Sequence, residues 1–376
     1  MRLFIFLRKT NLWFSSKCFC ATRPILAIAA MQHFFANRQT VANVSLKADW
    51  PRMQFQDAVG DVGGLDARMH IPVLNTGYAL VTGAAAGIGK EAAFAFAEAG
   101  VEGVAFADLN EQGAQEAAAE SKNYATNANY QSLVIKVDVA DENVVQHMVD
   151  AVVKAFGWID YAVNSAGVKA SSFFLCPNLE ISARRVDSSQ IGNISGAITP
   201  NLKLDVFDKS VDINIKGAVY FVRAVTAAMA AQDELTHVSS SRHGNTTRSL
   251  GRGSIVLLGS ITSYITGPGM LNYTTSKHAV IGITKSAAMD CINSRIRVNA
   301  VCPSWVDTPM NHASLQRMPQ LGHLIKAISS LGRVATVEEV ADYIVFLSSP
   351  SASYINGTGL TIDSGISMGI HVPGSK

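Results

Sequence analysis

The sequence is poor in charge and carries almost no excess of either sign. Only 16% of its 376 residues are Asp, Glu, Lys or Arg, and the formal net charge is +2. A protein that binds nucleic acid through phosphates needs a basic face, and no basic stripe occurs outside the N-terminal region. Hydrophobic residues make up 48% of the chain, which predicts a large buried core and argues against wholesale disorder.

Cysteine is also scarce, and no apolar run reaches the roughly 18 residues that a membrane-spanning helix requires. The five cysteines are odd in number and lack the spacing of metal ligands. We therefore expect a reducing compartment, with no disulfide framework and no metal site. Neither a membrane nor a nucleic acid is expected as a partner.

Acidic residues are absent before Asp49, whereas seven Lys and Arg residues occur there. Arg-rich, acid-poor segments that contain serine are typical of organelle transit peptides. Three interpretations stay open for residues 1–70: a mitochondrial targeting segment, a leader without function, or a start assigned too early, with Met31, Met53 or Met69 as later candidates. Without a functional leader we expect a cytoplasmic protein.

From about Ile71 onward, short apolar segments alternate with segments of helical character. Strands are predicted at 78–82, 101–108, 132–138, 159–165, 253–260, 296–303 and 357–363. Helices are predicted at 90–99, 112–121, 141–156, 205–230 and 272–293, with another from a Thr336-x-x-Glu339 capping box to 347. This alternation predicts an α/β fold at residues 71–376, a single doubly wound parallel sheet with helices on both faces.

Two segments interrupt the alternation. Residues 232–252 are polar and rich in Ser, Arg, His and Gly, which predicts an irregular surface loop. Residues 168–190 show no clear period, and their removal would join Gly167 to Ile191 in a continuous loop. This segment is in frame, begins with Val, whose codons start with GT, and ends with Gln, whose codon can be CAG. Because introns begin with GT and end with AG, a retained intron is one hypothesis. A genuine insertion in a substrate loop is the other.

A glycine-rich turn lies between the first predicted strand and the first predicted helix. Gly83, Gly87 and Gly89 follow the spacing G-x-x-x-G-x-G. Glycines allow a tight turn that brings backbone N–H groups and a helix N-terminus close to a pyrophosphate. The same glycines could serve packing alone, but their position between a strand and a helix favours dinucleotide binding.

An acid at the end of the next predicted strand supports this interpretation. Asp108 follows Gly83 by 25 residues. A carboxylate there can accept hydrogen bonds from the adenosine ribose hydroxyls and would repel a 2′-phosphate. No arginine lies beside Asp108 to bind such a phosphate, so the sequence predicts NAD in preference to NADP. The alternative is an Asp that only forms a turn.

Tyr273 and Lys277 lie four residues apart, so they share one face of a predicted helix. A tyrosine with its ordinary pKa of about 10 is a poor base near neutrality. We expect the Lys277 ammonium, with the positive charge of an oxidised nicotinamide, to lower the pKa of Tyr273. Tyr273 could then exchange a proton with an alcohol or carbonyl oxygen. Ser260, at a strand end, could hydrogen-bond that oxygen and stabilise developing charge.

Seven motifs follow one another as they do in the short-chain dehydrogenase/reductase family, which residues 73–368 resemble. They are TGAAAGIG at 82–89, Asp138-Val139, Asn164-Ser-Ala-Gly167, Asn214-Ile-Lys-Gly217, Ser260, Tyr273-x-x-x-Lys277 and Pro303-Ser-x-x-x-Thr308. One Y-x-x-x-K is weak by itself, whereas seven motifs in order are specific. The resemblance implies a Rossmann-type fold and an NAD(P)-dependent oxidoreductase that interconverts a secondary alcohol and a ketone.

The resemblance also implies roles for individual residues. Ser260, Tyr273 and Lys277 would be catalytic, and Lys277 would also hold the nicotinamide ribose. Asn214 would position a water in the proton relay. The other implied cofactor contacts are Gly83, Gly87, Ile88, Gly89, Asp108, Asp138, Val139, Asn164, Val306 and Thr308. A strand-end cap at Asp138 and a helix cap at Thr308 stay open as alternatives.

Residues 309–331 resemble the substrate lid of the family. Their apolar side chains predict a small, uncharged, hydrophobic substrate: Met310, Leu315, Met318, Leu321, Leu324 and Ile325. Relatives commonly form homodimers or homotetramers through the helices predicted here at 205–230 and 272–293. The alternative to an enzyme is a non-catalytic dinucleotide-binding redox sensor or scaffold.

Overall fold

The computed structural model describes residues 74, 76–168, 199–241 and 244–369. The predicted N-terminal extension, 1–70, lies outside the described residues. So does the predicted insertion at 168–190, except for Val168. The hypotheses about both segments therefore stay predictions.

Seven parallel strands form one sheet, and a separate antiparallel hairpin lies apart from it. The strands are β1 (Tyr78–Thr82), β2 (Gly103–Asp108), β3 (Gln131–Lys136), β4 (Tyr161–Asn164), β5 (Leu235–Ser241), β6 (Gly244–Gly251), β7 (Gly253–Leu258), β8 (Ile296–Pro303) and β9 (Gly359–Ile362). In the sheet they are ordered β3-β2-β1-β4-β7-β8-β9, and β5 pairs with β6.

Helices cover both faces of this sheet. They are α1 (Gly87–Glu98), α2 (Glu111–Ser121), α3 (Glu142–Phe156), α4 (Leu204–Ser210), α5 (Gly217–Ala230), α6 (Leu271–Asp290), α7 (Pro309–Arg317), α8 (Gln320–Ile328) and α9 (Glu338–Ser348). Phe96 and Phe106 belong to a core that α1, α2 and α9 close. Met148 and Phe221 belong to the core on the other face, under α3, α5 and α6. The prediction of a doubly wound, Rossmann-type fold is confirmed.

The predicted helix at 205–230 is helical but not regular. Between α4 and α5 the chain forms a π-helix, Val211–Lys216, which contains the buried Asn214. π-helical turns are rare and often occur at functional sites. The sequence pattern did not distinguish this turn from the α-helices beside it.

The predicted irregular loop at 232–252 is wrong in conformation, because β5 and β6 pair over most of it. β-branched residues such as Val238, Thr246 and Thr247 favour extended strands, and Gly244 starts β6 with a φ of +95°. These side chains are exposed. The polarity that suggested a loop therefore reflects a solvated hairpin.

The strand order brings the predicted site residues to one edge of the sheet. Parallel strands end at the same edge, and the order reverses between β1 and β4, where α/β folds commonly bind ligands. The glycine turn follows β1, Asp108 ends β2, and Asn164 ends β4. Ser260 comes shortly after the end of β7.

Candidate active site

Close packing shapes the glycine turn between β1 and α1. A Cβ at Gly83 would lie 2.8 Å from the backbone N of Ala166, and a Cβ at Gly89 would overlap the carbonyl oxygen of Gly83. Gly87 is different, since the nearest atom to a Cβ there would be Thr308 Cγ2 at 3.4 Å. Gly83 and Gly87 have φ values of +70° and +58°, which favour glycine. The fold thus requires Gly83 and Gly89, whereas Gly87 faces Thr308 across ordinary contact distance.

The start of α1 fits an anionic group. Ala86 occupies the N-cap position and makes no side-chain capping hydrogen bond. The N–H groups at the start of a helix carry partial positive charge and bind phosphates well. Gly87, Ile88 and Gly89 form this first turn, so the predicted pyrophosphate contacts are grouped here.

Asp108 holds the glycine turn against the end of β2. Its carboxylate accepts a 3.0 Å hydrogen bond from Ala85 N–H and a 2.8 Å hydrogen bond from Asn110 N–H. The turn-forming role is therefore present. Each oxygen still has a second lone pair, so the carboxylate can also accept from ribose hydroxyls.

Asn164 and Thr82 fix the ends of β4 and β1 to each other. Thr82 Oγ1 donates to Asn164 Oδ1 over 3.0 Å and accepts from Ala166 N–H over 3.3 Å. Both side chains are buried. Asn164 thus lies at the switch point, next to the glycine turn.

Asp138 and Val139 follow β3. Asp138 is exposed and accepts a 3.0 Å hydrogen bond from Ala140 N–H, so the capping alternative is realised. Val139 is buried, and a Cβ on Gly217 would lie 2.9 Å from its carbonyl oxygen.

Thr308 caps the helix α7, which is the alternative that the sequence left open for this residue. Its hydroxyl accepts from Asn311 N–H over 3.2 Å and donates to Val306 C=O over 3.3 Å. The Asn311 side chain is only 7% exposed, yet neither amide atom has a hydrogen-bond partner among the described residues. Buried amides are normally paired. An orphaned donor and acceptor beside Thr308 fit a bound group that offers both, such as a carboxamide.

Ser260, Tyr273 and Lys277 meet where the chain leaves β7 and packs against α6. The Ser260 side chain lies near enough to the Tyr273 phenol to lower its pKa, and Lys277 Nζ lies 5.7 Å from the centre of the Tyr273 ring. Lys277 Nζ also donates a 2.6 Å hydrogen bond to Leu258 C=O. The structure thus brings together the three residues that the sequence predicts to be catalytic.

The titration of this cluster differs from the expectation. Burial raises the pKa of Tyr273 above 10, the Ser260 side chain lowers it, and the nearby Cys302 raises it. Burial lowers the pKa of Lys277 to about 8. The predicted lowering of the Tyr273 pKa by Lys277 is therefore not seen in the protein alone. Burial disfavours the charged form of both groups, and the Lys277 ammonium is hydrogen-bonded to Leu258 C=O.

Asn214 binds the chain after Gly167. Its Oδ1 accepts from Val168 N–H, and its Nδ2 donates to Val168 C=O, both over 2.9 Å. Nδ2 also donates to Ser276 Oγ over 3.1 Å. Both amide donors are therefore used within the protein. A water could still donate to the second lone pair of Oδ1.

The predicted lid forms α7 and α8, and three of its six apolar side chains face inward. Met318, Leu321 and Ile325 are buried and pack with Trp305 and Val334. The expectation of an apolar lid surface is therefore wrong for these residues, because they stabilise the lid itself.

A cavity of about 380 Å³ lies beside the start of α6. Its lining is uncharged, and four of the lining residues are threonines. The lining residues are Thr199, Thr266, Gly267, Pro268, Gly269, Leu271, Thr274 and Thr275. Thr266 Oγ1 and Thr274 Oγ1 are 2.9 Å apart. These lining residues have no role among the predictions from the sequence, although the Gly-Pro-Gly at 267–269 marks a tight loop just before Tyr273.

None of the helices in the described parts of the chain is long and apolar enough to span a membrane. Across the same ranges, no three His, Cys, Asp or Glu side chains come together in a way that could hold a metal ion.

Comparison with known proteins gives consistent matches. The sequence profile described as "short chain dehydrogenase" matches residues 77–319. The chain is similar to short-chain dehydrogenase anuF of Penicillium roqueforti, with 39% identity over 78% of this chain and 96% of that protein. It is also similar to 3beta-hydroxysteroid dehydrogenase 2 of Eggerthella lenta, with 31% identity over 79% of this chain and 96% of that protein.

A solved short-chain type dehydrogenase/reductase from Mycobacterium marinum has a similar structure. It superimposes with a TM-score of 0.62 and 27% identity, over 79% of this chain and 97% of its own.

Proposed function

The chain belongs to the short-chain dehydrogenase/reductase family of NAD(P)-dependent oxidoreductases that act on CH–OH groups, and from this we propose that Tyr273 is its catalytic acid/base. The reaction is the interconversion of an alcohol and a ketone. The observation that carries the proposal is the junction of Ser260, Tyr273 and Lys277 at the sheet edge that also bears the glycine turn.

The proposed chemistry assigns one task to each side chain. When bound, NAD(P) supplies the hydride acceptor for oxidation and the hydride donor for reduction. Tyr273 takes the hydroxyl proton of the alcohol as the ketone forms, and returns it in the reverse direction. Ser260 hydrogen-bonds the substrate oxygen and the Tyr273 phenol. Together with the positive charge of an oxidised nicotinamide, Lys277 would favour the phenolate, and it would donate to the nicotinamide ribose.

We assign the cofactor contacts along the sheet edge. Gly87, Ile88 and Gly89 would bind the pyrophosphate through backbone N–H groups, while Gly83 forms the turn. The contacts proposed for the adenosine half are Asp108, Asp138, Val139 and Asn164, and those for the nicotinamide half are Val306, Thr308 and Lys277. NAD is proposed over NADP, because a 2′-phosphate would meet the Asp108 carboxylate.

We propose an uncharged substrate with both apolar and hydroxyl or carbonyl groups. The cavity at the start of α6 has no charged lining residue, and its threonines can hydrogen-bond a neutral polar group. The relative named for 3beta-hydroxysteroids supports a predominantly apolar alcohol.

The test is turnover of the full chain with NAD and NADP over a panel of secondary alcohols and ketones, including steroids, polyols and aromatic ketones. We expect NAD-dependent turnover of an uncharged substrate. Tight cofactor binding without turnover of any compound would contradict the proposal and support the alternative, a non-catalytic redox sensor or scaffold.

We also propose assembly as a homodimer or homotetramer through α5 and α6. Val219 on α5 and Met289 on α6 are 43% and 68% exposed, which supports burial against another subunit. Light scattering of the purified protein tests the assembly state.

The compartment and the boundaries of the mature chain are proposals as well. We propose a cytoplasmic enzyme if residues 1–70 are not a working leader, and a mitochondrial one if they are. N-terminal sequencing of the mature protein tests this choice. Transcript sequencing tests whether the codons for 168–190 are retained.

A further inference from the structure

Ser263 joins the backbones of two proposed catalytic residues. It ends the short 3₁₀ turn Ile261–Ser263 that follows Ser260, and its side chain is buried. Its Oγ accepts a 3.3 Å hydrogen bond from Ser260 N–H and donates a 2.7 Å hydrogen bond to Lys277 C=O. One hydroxyl thus spans the loop that carries Ser260 and the helix that carries Tyr273 and Lys277.

The same turn fixes the Ser260 side chain. Ser260 Oγ accepts from Thr262 N–H over 3.2 Å, and Ser260 C=O accepts from Ser263 N–H over 2.8 Å. Together with the bond to Ser263 Oγ, these form a reciprocal capping box. The direction of the Ser260 hydroxyl therefore depends on the position of Ser263.

The hydrogen bond from Ser263 Oγ to Lys277 C=O links the turn after β7 to α6. The Lys277 carbonyl does not need this bond to be satisfied. Lys277 lies in the interior of α6, which continues to Asp290, and carbonyls in a helix interior already accept from the residue four positions on. The Ser263 hydroxyl adds a second donor to this carbonyl. Its consequence is a fixed distance between the Ser260 turn and α6.

Cys302, a residue of β8, also lies close to this turn. A Cβ on Gly259 would lie 2.6 Å from Cys302 Sγ and 3.1 Å from Ser263 Oγ, so no larger residue fits between them. Burial raises the pKa of the Cys302 thiol, and the nearby polar groups of Ser263 and of the Ser260 backbone lower it. Ser263 is therefore enclosed by the strand, the turn and the helix.

We propose that Ser263 is a positioning residue, which holds the Ser260 hydroxyl in register with Tyr273 and Lys277 without touching substrate or cofactor. The inference rests on the proposed function, in which Ser260 and Tyr273 must reach the same substrate oxygen. Misplacement of a reacting group by about 1 Å can lower a rate about 100-fold.

The experiment compares wild type, Ser263→Ala, Ser263→Thr and Ser348→Ala. Ser348 is an equally buried serine whose Oγ donates to Ile344 C=O over 2.9 Å in α9, so it controls for the loss of a buried hydroxyl. We expect Ser263→Ala to lower kcat about 10- to 100-fold while the Kd for cofactor stays within about twofold. Ser263→Thr keeps the hydroxyl and is expected to retain most of kcat. Ser348→Ala should keep wild-type kcat.

The pH profile separates positioning from a purely structural role. The Ser260 side chain lowers the pKa of Tyr273, so a displaced Ser260 should move the Tyr273-dependent limb of kcat to higher pH. A folded Ser263→Ala protein with wild-type kcat and an unmoved limb would overturn the inference. If Ser263→Ala does not fold, Ser263→Cys, which has similar volume but hydrogen-bonds weakly, serves for the same comparison. An inert wild type would contradict the proposed function instead.

Discussion

The Lys277 ammonium lies 5.7 Å from the centre of the Tyr273 ring, one helical turn away on the same face of α6. Burial works against the charge on each partner, so the pKa of Tyr273 lies above 10 and that of Lys277 falls to about 8. Tyr273 is thus a protonated phenol near neutrality in the protein alone. In the proposed reaction, a positive charge beside the phenol must favour its ionisation for oxidation to proceed.

Lys277→Met should separate catalysis from stability. We expect alcohol oxidation to fall about 100-fold or more, because the phenolate of Tyr273 loses its nearby cation. Stability at neutral pH should change little. The relief of a buried charge offsets the loss of the hydrogen bond to Leu258 C=O, which is worth about 1–3 kcal/mol. Stopped-flow kinetics and urea unfolding measure the two effects.

The pH dependence of stability checks the same residue. Folding lowers the pKa of Lys277 from 10.5 to about 8, so the unfolded chain binds more protons between these values. Wild-type stability should therefore gain a contribution as the pH rises through this window, and Lys277→Met should lack it. Equal slopes in the two proteins would contradict the burial of a titrating Lys277.

Two glycine substitutions should have different consequences. Gly83→Ala adds a methyl 2.8 Å from Ala166 N at a φ of +70°, and should cost on the order of 3 kcal/mol of stability. Gly87→Ala should cost only about 1–2 kcal/mol, but weaken cofactor binding about tenfold or more by filling the space toward Thr308. Gly157→Ala, at a φ of +84° with no atom nearby, controls for backbone strain. Thermal unfolding and fluorescence titration with NADH give both quantities.

Asp108→Asn tests the cofactor preference. The amide keeps an acceptor for Ala85 or Asn110 N–H but removes the charge that would repel a 2′-phosphate. We expect the ratio of kcat/KM for NADP over NAD to rise about tenfold or more, since like charges in contact cost several kcal/mol. Glu111→Gln, in the exposed first turn of α2, removes a nearby charge as a control. An unchanged ratio in Asp108→Asn would place the selectivity elsewhere.

Asp160→Asn should stabilise the protein at neutral pH. Burial raises the pKa of Asp160 from 3.8 to about 6, although the carboxylate accepts from Tyr78 N–H. The folded chain then binds more protons between these pH values, so wild type loses stability as the pH rises through them. Asn keeps an acceptor for Tyr78, and its advantage should grow from near zero below pH 4 to about 3 kcal/mol well above pH 6. Urea unfolding against pH measures it, with the exposed Asp150→Asn as control.

The fold was predictable from the sequence because its signals are local. Buried strands such as β2 and β7 consist mostly of apolar residues, and Asn110 and Asp141 cap the helices α2 and α3. The Thr336–Glu339 capping box is present as predicted, with bonds of 2.8 and 3.3 Å. The hairpin at 235–251 was missed because its strands bury little, so no apolar alternation marks them.

The site was predictable only in part, because several of its properties arise from contacts distant in sequence. The π-turn at Asn214 forms with an amide bound to Val168, 46 residues earlier. Asp108 and Thr308 serve as turn former and cap, and short polar residues suit both that role and ligand binding. Ser263 and Asn311 carry no local signal at all; their importance appears only when α6 and the turn after β7, or Thr308 and α7, are seen together.

The most direct test of the central claim is the single-turnover rate of Tyr273→Phe with saturating NAD and an alcohol that wild type oxidises. Phenylalanine keeps the ring above Lys277 but has no proton to exchange. The account predicts a rate at least about 100-fold below wild type, with the Kd for NADH unchanged within about threefold. A folded Tyr273→Phe protein that oxidises the alcohol at the wild-type rate would contradict the account.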